Sequence, residues 1–403
     1  MHVLLVPSWY SHLRSVGAGS FFRDQAQALV RAGHKVGMIF PKVWGVRDYR
    51  AGPLPDMNEV RSEDEGGVRL WRIDTLHRLP RVPYRDAFDF THAGTRLFSA
   101  YANSEGQPDI IHAHSALNGG VLARQLKART GIPYVLTEHS TDFAQGKHRW
   151  WQKQLVSRVL RSADARIAVS PELRDILLRQ YPAVAPPLNV IPNILTAEFE
   201  RAAPEPENPD GAPIYLCCAR ISAEKNQVGL IRAFAEAFPS GDGEPAPELH
   251  FIGSGDDGGL EALARELGIA ERIRVLGVMP PDQVRRRMAS ADVVVLASFV
   301  ETFGVVVIEA LSQGTPVVAT ISGGPEGILT PESGILIPPG DHGALVTALG
   351  DMHRRRREFD GARLRSDCLG TYGEKAVVGQ LESLYGRILE NGPVSGRGKT
   401  GDR

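Results

Sequence analysis

Long hydrophobic runs are missing from this chain of 403 residues. No apolar stretch approaches the roughly 18 residues of a membrane-spanning helix, so a membrane-spanning protein is not expected. Cysteine is scarce as well. Three residues, two of them adjacent (Cys217 and Cys218), cannot build a disulfide framework. No His/Cys cluster has metal-ligand spacing. No DxD triplet stands at a strand terminus, and Asp256-Asp257 reads as loop. The expectation is therefore no metal and no cofactor. The first residues enter a strand directly (HVLLVP) without a charged-then-apolar leader, and a reducing cytoplasm is the expected compartment.

An excess of one charge is also lacking, with 46 Lys+Arg against 47 Asp+Glu. That balance hides an asymmetry, because residues 1–195 hold 25 Lys+Arg against 17 Asp+Glu and residues 196–403 hold 21 against 30. Such a division suggests that the first half meets something anionic, a charged acceptor or a lipid surface, and no nucleic acid is expected. It also raises the expectation of peripheral contact with the inner face of a membrane through the first domain. The length and a 42% hydrophobic content suit two α/β domains with ordinary cores.

The chain opens with a strand at Val3–Val6, a loop containing Gly17-Ala18-Gly19-Ser20, a helix through Phe22, Ala26, Leu29 and Val30, and a second strand at Val36–Phe40. This is a Rossmann-like βαβ unit. Residues 44–108 are less regular, with a strand at Val68–Ile73 and a loop carrying Arg78, Arg81 and Arg85; Arg78 and Arg81 are candidates to meet the anionic partner. DIIHAHS (109–115) is a strand whose carboxyl end carries His112 and His114, and YVLTEHST places His139 at the next strand's end. In open α/β sheets ligands collect at those ends. KHRWWQKQLVSRVLR (147–161) is an amphipathic helix whose Trp151, Leu155, Val156, Val159 and Leu160 stripe is assigned to core rather than membrane.

After a Pro- and Glu-rich linker the α/β pattern restarts at Ile214–Ala219. Arg220 ends that strand and Lys225 opens the next helix. Two fixed cations there suit a diphosphate, the Arg as a bidentate clamp and the Lys as a point charge. Gly253-Ser254-Gly255-Asp256-Asp257-Gly258 is a G-x-G-x-x-G, but the next strand ends in Gly277 with no carboxylate for a ribose. A nucleotide-facing turn is favoured over a NAD site. LASFVETFGVVVIEALSQGTPVVAT (296–320) is then a strand–helix–strand unit containing Glu301 and Glu309. On one helix these would lie ~12 Å apart along the axis and ~80° around it, which is poor geometry for sharing a proton. Gly304 instead suggests Glu301 on the loop and Glu309 two turns into the helix, both facing a ligand at the helix N-terminus.

With Phe303 and Gly304 after the first carboxylate, this stretch resembles the E-x7-E signature of retaining glycosyltransferases of family 4, which have the two-domain GT-B fold. Other landmarks recur in order. They are GAGSFFRDQAQAL, VIPN (190–193, with Ile194 where the family usually has Gly), CARISAEK in place of G-R-x4-K (Ala219 for Gly), SGGPEG (322–327) and GILIPPGD (334–341).

The resemblance implies two Rossmann-like domains facing each other across a cleft. The divisions expected are an acceptor domain at 1–195, a linker at 196–213, a nucleotide-sugar domain at 214–375, a helix at 376–390 crossing back, and a disordered tail at 391–403. It further implies sugar transfer from a nucleoside-diphosphate sugar to a hydroxyl acceptor with retention, in glycan, glycolipid or cell-envelope polysaccharide synthesis. The nucleotide sugar is a substrate, and the acceptor is anionic or lipid-linked in this reading. Arg220 and Lys225 would steady the leaving diphosphate, Glu301 a hydroxyl of the transferred sugar, and Glu309 the ribose. Gly17, Gly19, Gly253, Phe303, Gly304, Val305 and Glu326 would border the donor, with His114 and His139 near the reaction centre and His139, Arg78 and Arg81 as candidates on the acceptor side. A nucleotide-sugar epimerase or a silent nucleotide-sugar-binding module would suit the same fold.

Overall fold

Strands in parallel sheets are buried on both faces, so they read as continuous apolar runs between glycine and proline stops. The computed structural model describes residues 1–12, 19–45, 48, 54–77, 82–184, 187–204, 211–239, 246–256 and 258–391. β1 (His2–Pro7), α1 (Ser20–Arg31) and β2 (Lys35–Trp44) form the opening βαβ unit. The hairpin β3 (Val60–Glu65) and β4 (Val68–Leu76) follows, then α2 (Arg85–Glu105), β5 (Ile110–His114), α3 (Val121–Thr130) and β6 (Tyr134–Glu138). α4 (Trp150–Ser162), β7 (Ala165–Ala168), α5 (Pro171–Gln180) and β8 (Asn189–Val190) complete a sheet of order β3-β4-β2-β1-β5-β6-β7-β8, parallel except at β3.

A short α6 (Ala197–Arg201) precedes the second sheet. That sheet uses β9 (Ile214–Cys218), α7 (Gln227–Ala237), β10 (Glu248–Ile252), α8 (Gly258–Glu266) and β11 (Ile273–Val275). It continues with α9 (Pro281–Ala289), β12 (Val293–Leu296), α10 (Val305–Ser312), β13 (Val317–Thr320) and β14 (Gly334–Ile337), and α11 (His342–Arg355) and α12 (Gly361–Tyr372) follow. The order is β11-β10-β9-β12-β13-β14, all parallel. Strand order reverses between β9 and β12, the switch point at which open α/β sheets hold ligands. α13 (Glu374–Asn391) then returns to the first sheet. There Glu374 pairs with Arg31 at 2.7 Å, Glu382 lies 2.8 Å from His34, and the buried Tyr385 hydroxyl lies 2.6 Å from His112 Nδ1.

Four expectations are corrected. Arg85 is not in a loop; it opens the 21-residue α2 and pairs with Asp89 at 2.9 Å. That helix escapes a search for apolar periodicity because its buried face includes Asp89, Thr91 and Gly94. A Cβ on Gly94 would fall 2.2 Å from Leu122, so glycine is what allows α2 to approach α3. Residues 196–213 are not all linker, since α6 buries Phe199, whose carbonyl accepts from Gln313 and Arg365 of the second domain. In the α4 stripe Trp151, Val156, Val159 and Leu160 are core, while Leu155 is half-buried. Glu309 sits one turn into α10, not two, because the helix starts at Val305. Gly17, Arg78, Arg81 and the tail at 392–403 lie outside the described residues.

Candidate active site

The second domain's part of the site is built on close backbone approach. Cβ atoms on Gly253 and Gly255 would fall 2.0 Å from the Ala219 carbonyl oxygen and 2.5 Å from that of Ile221. The G-x-G after β10 therefore seats the Arg220 loop, and the Ile221 N–H donates to the Ser254 carbonyl at 2.7 Å. Gln227, buried at the start of α7, braces the same loop by donating to the Arg220 carbonyl at 3.0 Å. The Arg220 side chain is exposed, with Glu224 3.9 Å away. Lys225 turns inward and donates to Glu301 Oε1 at 2.5 Å, an oxygen that also accepts from Ser298 Oγ at 2.8 Å. Ordering a mostly buried ammonium and carboxylate beside a hydroxyl sets both charges before any ligand arrives.

Gly323 and Gly324 press on the loop that carries Glu301. Their Cβ atoms would lie 2.5 Å from the Glu301 carbonyl oxygen and 2.4 Å from the Phe303 backbone. The Glu326 carboxylate is taken up by the Gly323 N–H at 2.9 and 3.1 Å, which closes this turn. Phe303 is buried edge-on to Tyr372, so it offers a donor only its backbone. Gly304 caps α10 in the left-handed conformation (φ 84) and its carbonyl accepts from the Val307 N–H at 2.8 Å, which leaves the Val305 and Val306 N–H groups without intrahelical acceptors. Glu309 is half-buried, and burial first, then the negative charge of Asp24 on α1, pushes its carboxyl up to about 7. Burial also lifts Asp24, to about 6.

In the first domain β5 and β6 bring His114 and His139 together, Nδ1 to Nε2 at 3.0 Å. His112 stacks on His114 with ring centroids 4.4 Å apart, and its Nε2 lies 2.7 Å from Thr137 Oγ1. Burial holds His112 and His139 down to about 3 and His114 well below the usual imidazole value, so all three are neutral at pH 7. Phe22 packs 4.7 Å from His114, and Phe21 5.0 Å from His139, between centroids. The histidines are thus assembled but sealed under α1, and His114 Nε2 is buried without a partner among the described residues. Gly19 (φ 71) begins α1, where a Cβ would fall 2.8 Å from the Phe22 ring. Beside this cluster a cavity of about 350 Å³ opens among Ser8, Trp9, Lys42, His77, Asp86 and Asn118.

The two halves touch across the cleft. Gln145 donates to Glu224 at 3.0 Å, Lys147 lies 3.6 Å from the same carboxylate, and Ser170 donates to the Gly323 carbonyl at 3.1 Å. Sequence reasoning missed Glu224, although it lies between the two cations. It also missed Asp24, Gln145 and Tyr385; for Tyr385 the signal was its place one turn beyond the apolar Leu381.

Two parallel Rossmann-like domains with their switch points facing one cleft define a GT-B protein. Residues 16–194 match the model of the "Glycosyl transferase 4-like domain" and residues 198–358 that of "Glycosyl transferases group 1". The chain is 30% identical over 314 residues to the D-inositol 3-phosphate glycosyltransferase of Corynebacterium diphtheriae, covering 69% of this chain and 70% of that one. It therefore belongs to glycosyltransferase family 4, the group 1 glycosyl transferases. Among solved structures, the sucrose-phosphate synthase of Thermosynechococcus elongatus superposes with a TM-score of 0.76 at 23% identity, over 96% of this chain and 99% of that one. Anabaena HepE in complex with UDP-glucose gives 0.70 at 16%, over 96% and 100%.

Proposed function

We propose that this glycosyltransferase moves a sugar from a nucleoside-diphosphate sugar to a hydroxyl acceptor with retention, in glycan, glycolipid or cell-envelope polysaccharide synthesis. The observation that carries the reading is the Lys225–Glu301–Ser298 cluster at the β9/β12 switch point, next to the N-terminus of α10. Arg220 and Lys225 oppose the charge that grows on the leaving diphosphate, an interaction stronger in the transition state than in the ground state. Glu301, held by Lys225 and Ser298, accepts from a hydroxyl of the transferred sugar. Glu309 accepts from the ribose hydroxyls.

Retention follows if the acceptor attacks from the face that the phosphate leaves. The anomeric C–O bond to phosphate breaks, the bond to the acceptor oxygen forms, and the acceptor proton passes to a phosphate oxygen. No side-chain nucleophile is needed. His114 and His139, being neutral, act through hydrogen bonds rather than by delivering charge. Relatives named as transferases favour transfer over epimerisation or silent binding. A thermal-stabilisation screen of nucleotide sugars, followed by product stereochemistry with the sugar that binds, tests this reading. An inverted product, or stabilisation by no nucleotide sugar, would overturn it.

A further inference from the structure

Between Asp142 and Asp164 the chain carries five Lys or Arg residues and no carboxylate, in a protein whose charges otherwise balance. This stretch contains α4. At 3.6 residues per turn Trp151, Val156, Val159 and Leu160 turn into the core, while Arg149, Trp150, Lys153, Gln154, Arg158 and Arg161 occupy the opposite, exposed half. Among the described residues none of Arg149, Lys153, Arg158 and Arg161 is paired with a carboxylate. Beside them Trp150 is 64% exposed, Phe88 58% and Val82 46%. Tyr84 joins these groups: its ring lies 6.1 Å from that of Trp150, its hydroxyl donates to Gln154 at 2.8 Å, and its carbonyl accepts from the Phe88 N–H.

We infer that this face of the first domain docks on an anionic lipid bilayer. The apolar half of α4 is used by the protein core, so the helix lies flat without inserting. Trp150 and Phe88 supply interfacial anchors, and the cations supply attraction to lipid phosphates. Exposed rings set among cations suit a membrane interface, where the rings find the headgroup boundary and the cations find phosphates. The charge division adds an orienting torque, since the basic first half is drawn to such a surface and the acidic second half is repelled. On α2, Asp86 and Phe90 line the first-domain cavity, while Phe88, two residues from each, points to the other side of the helix, so docking through Phe88 leaves the cavity uncovered.

The docking stands apart from the proposed transfer reaction and is measured without turnover. The full chain is co-sedimented with vesicles of phosphatidylcholine alone and of phosphatidylcholine mixed with phosphatidylglycerol, at low and high salt. Donor affinity is measured in parallel. Binding is expected only to the mixed vesicles, and weaker at high salt as the Debye length falls from ~10 Å at 0.1 M to ~3 Å at 1 M. Each cation near an anionic leaflet contributes about 1 kcal/mol, or about five-fold, so K153Q/R158Q should weaken partitioning about 25-fold. W150S/F88S should weaken it at both salt concentrations. Both pairs should leave donor affinity unchanged. No binding to the mixed vesicles, equal binding to both kinds, or binding that neither pair alters would overturn the assignment. Loss of the donor reading would appear separately, as wild-type protein that binds vesicles but no nucleotide sugar.

Discussion

Titration of Glu309 gives the proposed donor site a pH dependence that can be worked out in advance. Its carboxyl ionises at about 7 because burial, and then Asp24, disfavour the charge. A ribose diol needs the carboxylate as acceptor, so the nucleotide sugar binds the ionised form. The sign follows: affinity is full above pH 7 and falls as pH drops through it. About one molecule in eleven is ionised at pH 6 and about ten in eleven at pH 8, so affinity at pH 6 should be about tenfold weaker. Burial keeps His112 and His139 near about 3 and His114 far down, so no imidazole of this cluster titrates in that window. The ligand should be an intact nucleotide sugar, since a free diphosphate has its own protonation step near neutrality. Calorimetric titration at constant ionic strength reads the midpoint. Asp24→Asn should move it down by removing the second cause, yet leave it above the usual carboxylate range because burial remains. Glu309→Gln should bind weakly and flatly with pH. A wild-type affinity that is level from pH 6 to 8, or a slope that persists in Glu309→Gln, would refute the reasoning.

Replacing Arg220 or Lys225 by Ala removes a charge-assisted contact of about 1.5–3 kcal/mol and should weaken donor binding roughly 10- to 150-fold; unchanged affinity in both variants sinks the diphosphate assignment. Transfer should persist in excess chelator, because two cations already stand at the phosphate position; full loss restored by magnesium or manganese would show that a metal is needed. Tyr385→Phe strips the hydroxyl from a buried imidazole and should lower stability by about 1–3 kcal/mol in denaturant unfolding; a midpoint equal to wild type would mean that Gln25, 3.3 Å from the same nitrogen, suffices.

The legible parts of the fold share one cause. β5, β6 and β12 are buried on both faces and stand out as apolar runs with candidate residues at or beyond their carboxyl ends, so His114 and His139 could be placed at strand ends and Glu301 on the loop that follows its strand. Arg220 and Lys225 were singled out by chemistry, because two fixed cations at such an end suit a diphosphate. β3 was invisible because an exposed edge strand of sequence VRSEDE has no apolar face to alternate. α2 was hidden because its contact with α3 needs Gly94 where a search expects a large apolar residue. The remaining gaps are matters of distance along the chain. Gln145 and Glu224 are 79 residues apart, and His112 and Tyr385 are 273 apart, so neither pairing leaves a local pattern.

Those two long-range pairings also differ in strength, and the difference bears on how the cleft works. Tyr385 and His112 are both fully buried, so separating them would strand polar atoms in the core, at about 1–3 kcal/mol. With the Arg31–Glu374 pair they tie α13 to the first domain as a fixed anchor. The contacts across the cleft are different. Glu224 and Lys147 have 44% and 56% of their side chains exposed, and pairs of that kind contribute about 0–1 kcal/mol. Opening at Gln145, Lys147 and Glu224 is therefore cheap while the anchor at α13 holds. Parting the Ser170–Gly323 bond costs more, because Ser170 is buried, so a ligand shifts the cleft only by its difference in affinity for the two arrangements. Arg220 and Lys225 lie on either side of Glu224 in sequence, so a donor at the proposed phosphate position would change the field around a residue that bridges the cleft. In the proposed reaction, donor binding and the cleft contact would thus be coupled through the same short turn, Ala223–Lys225.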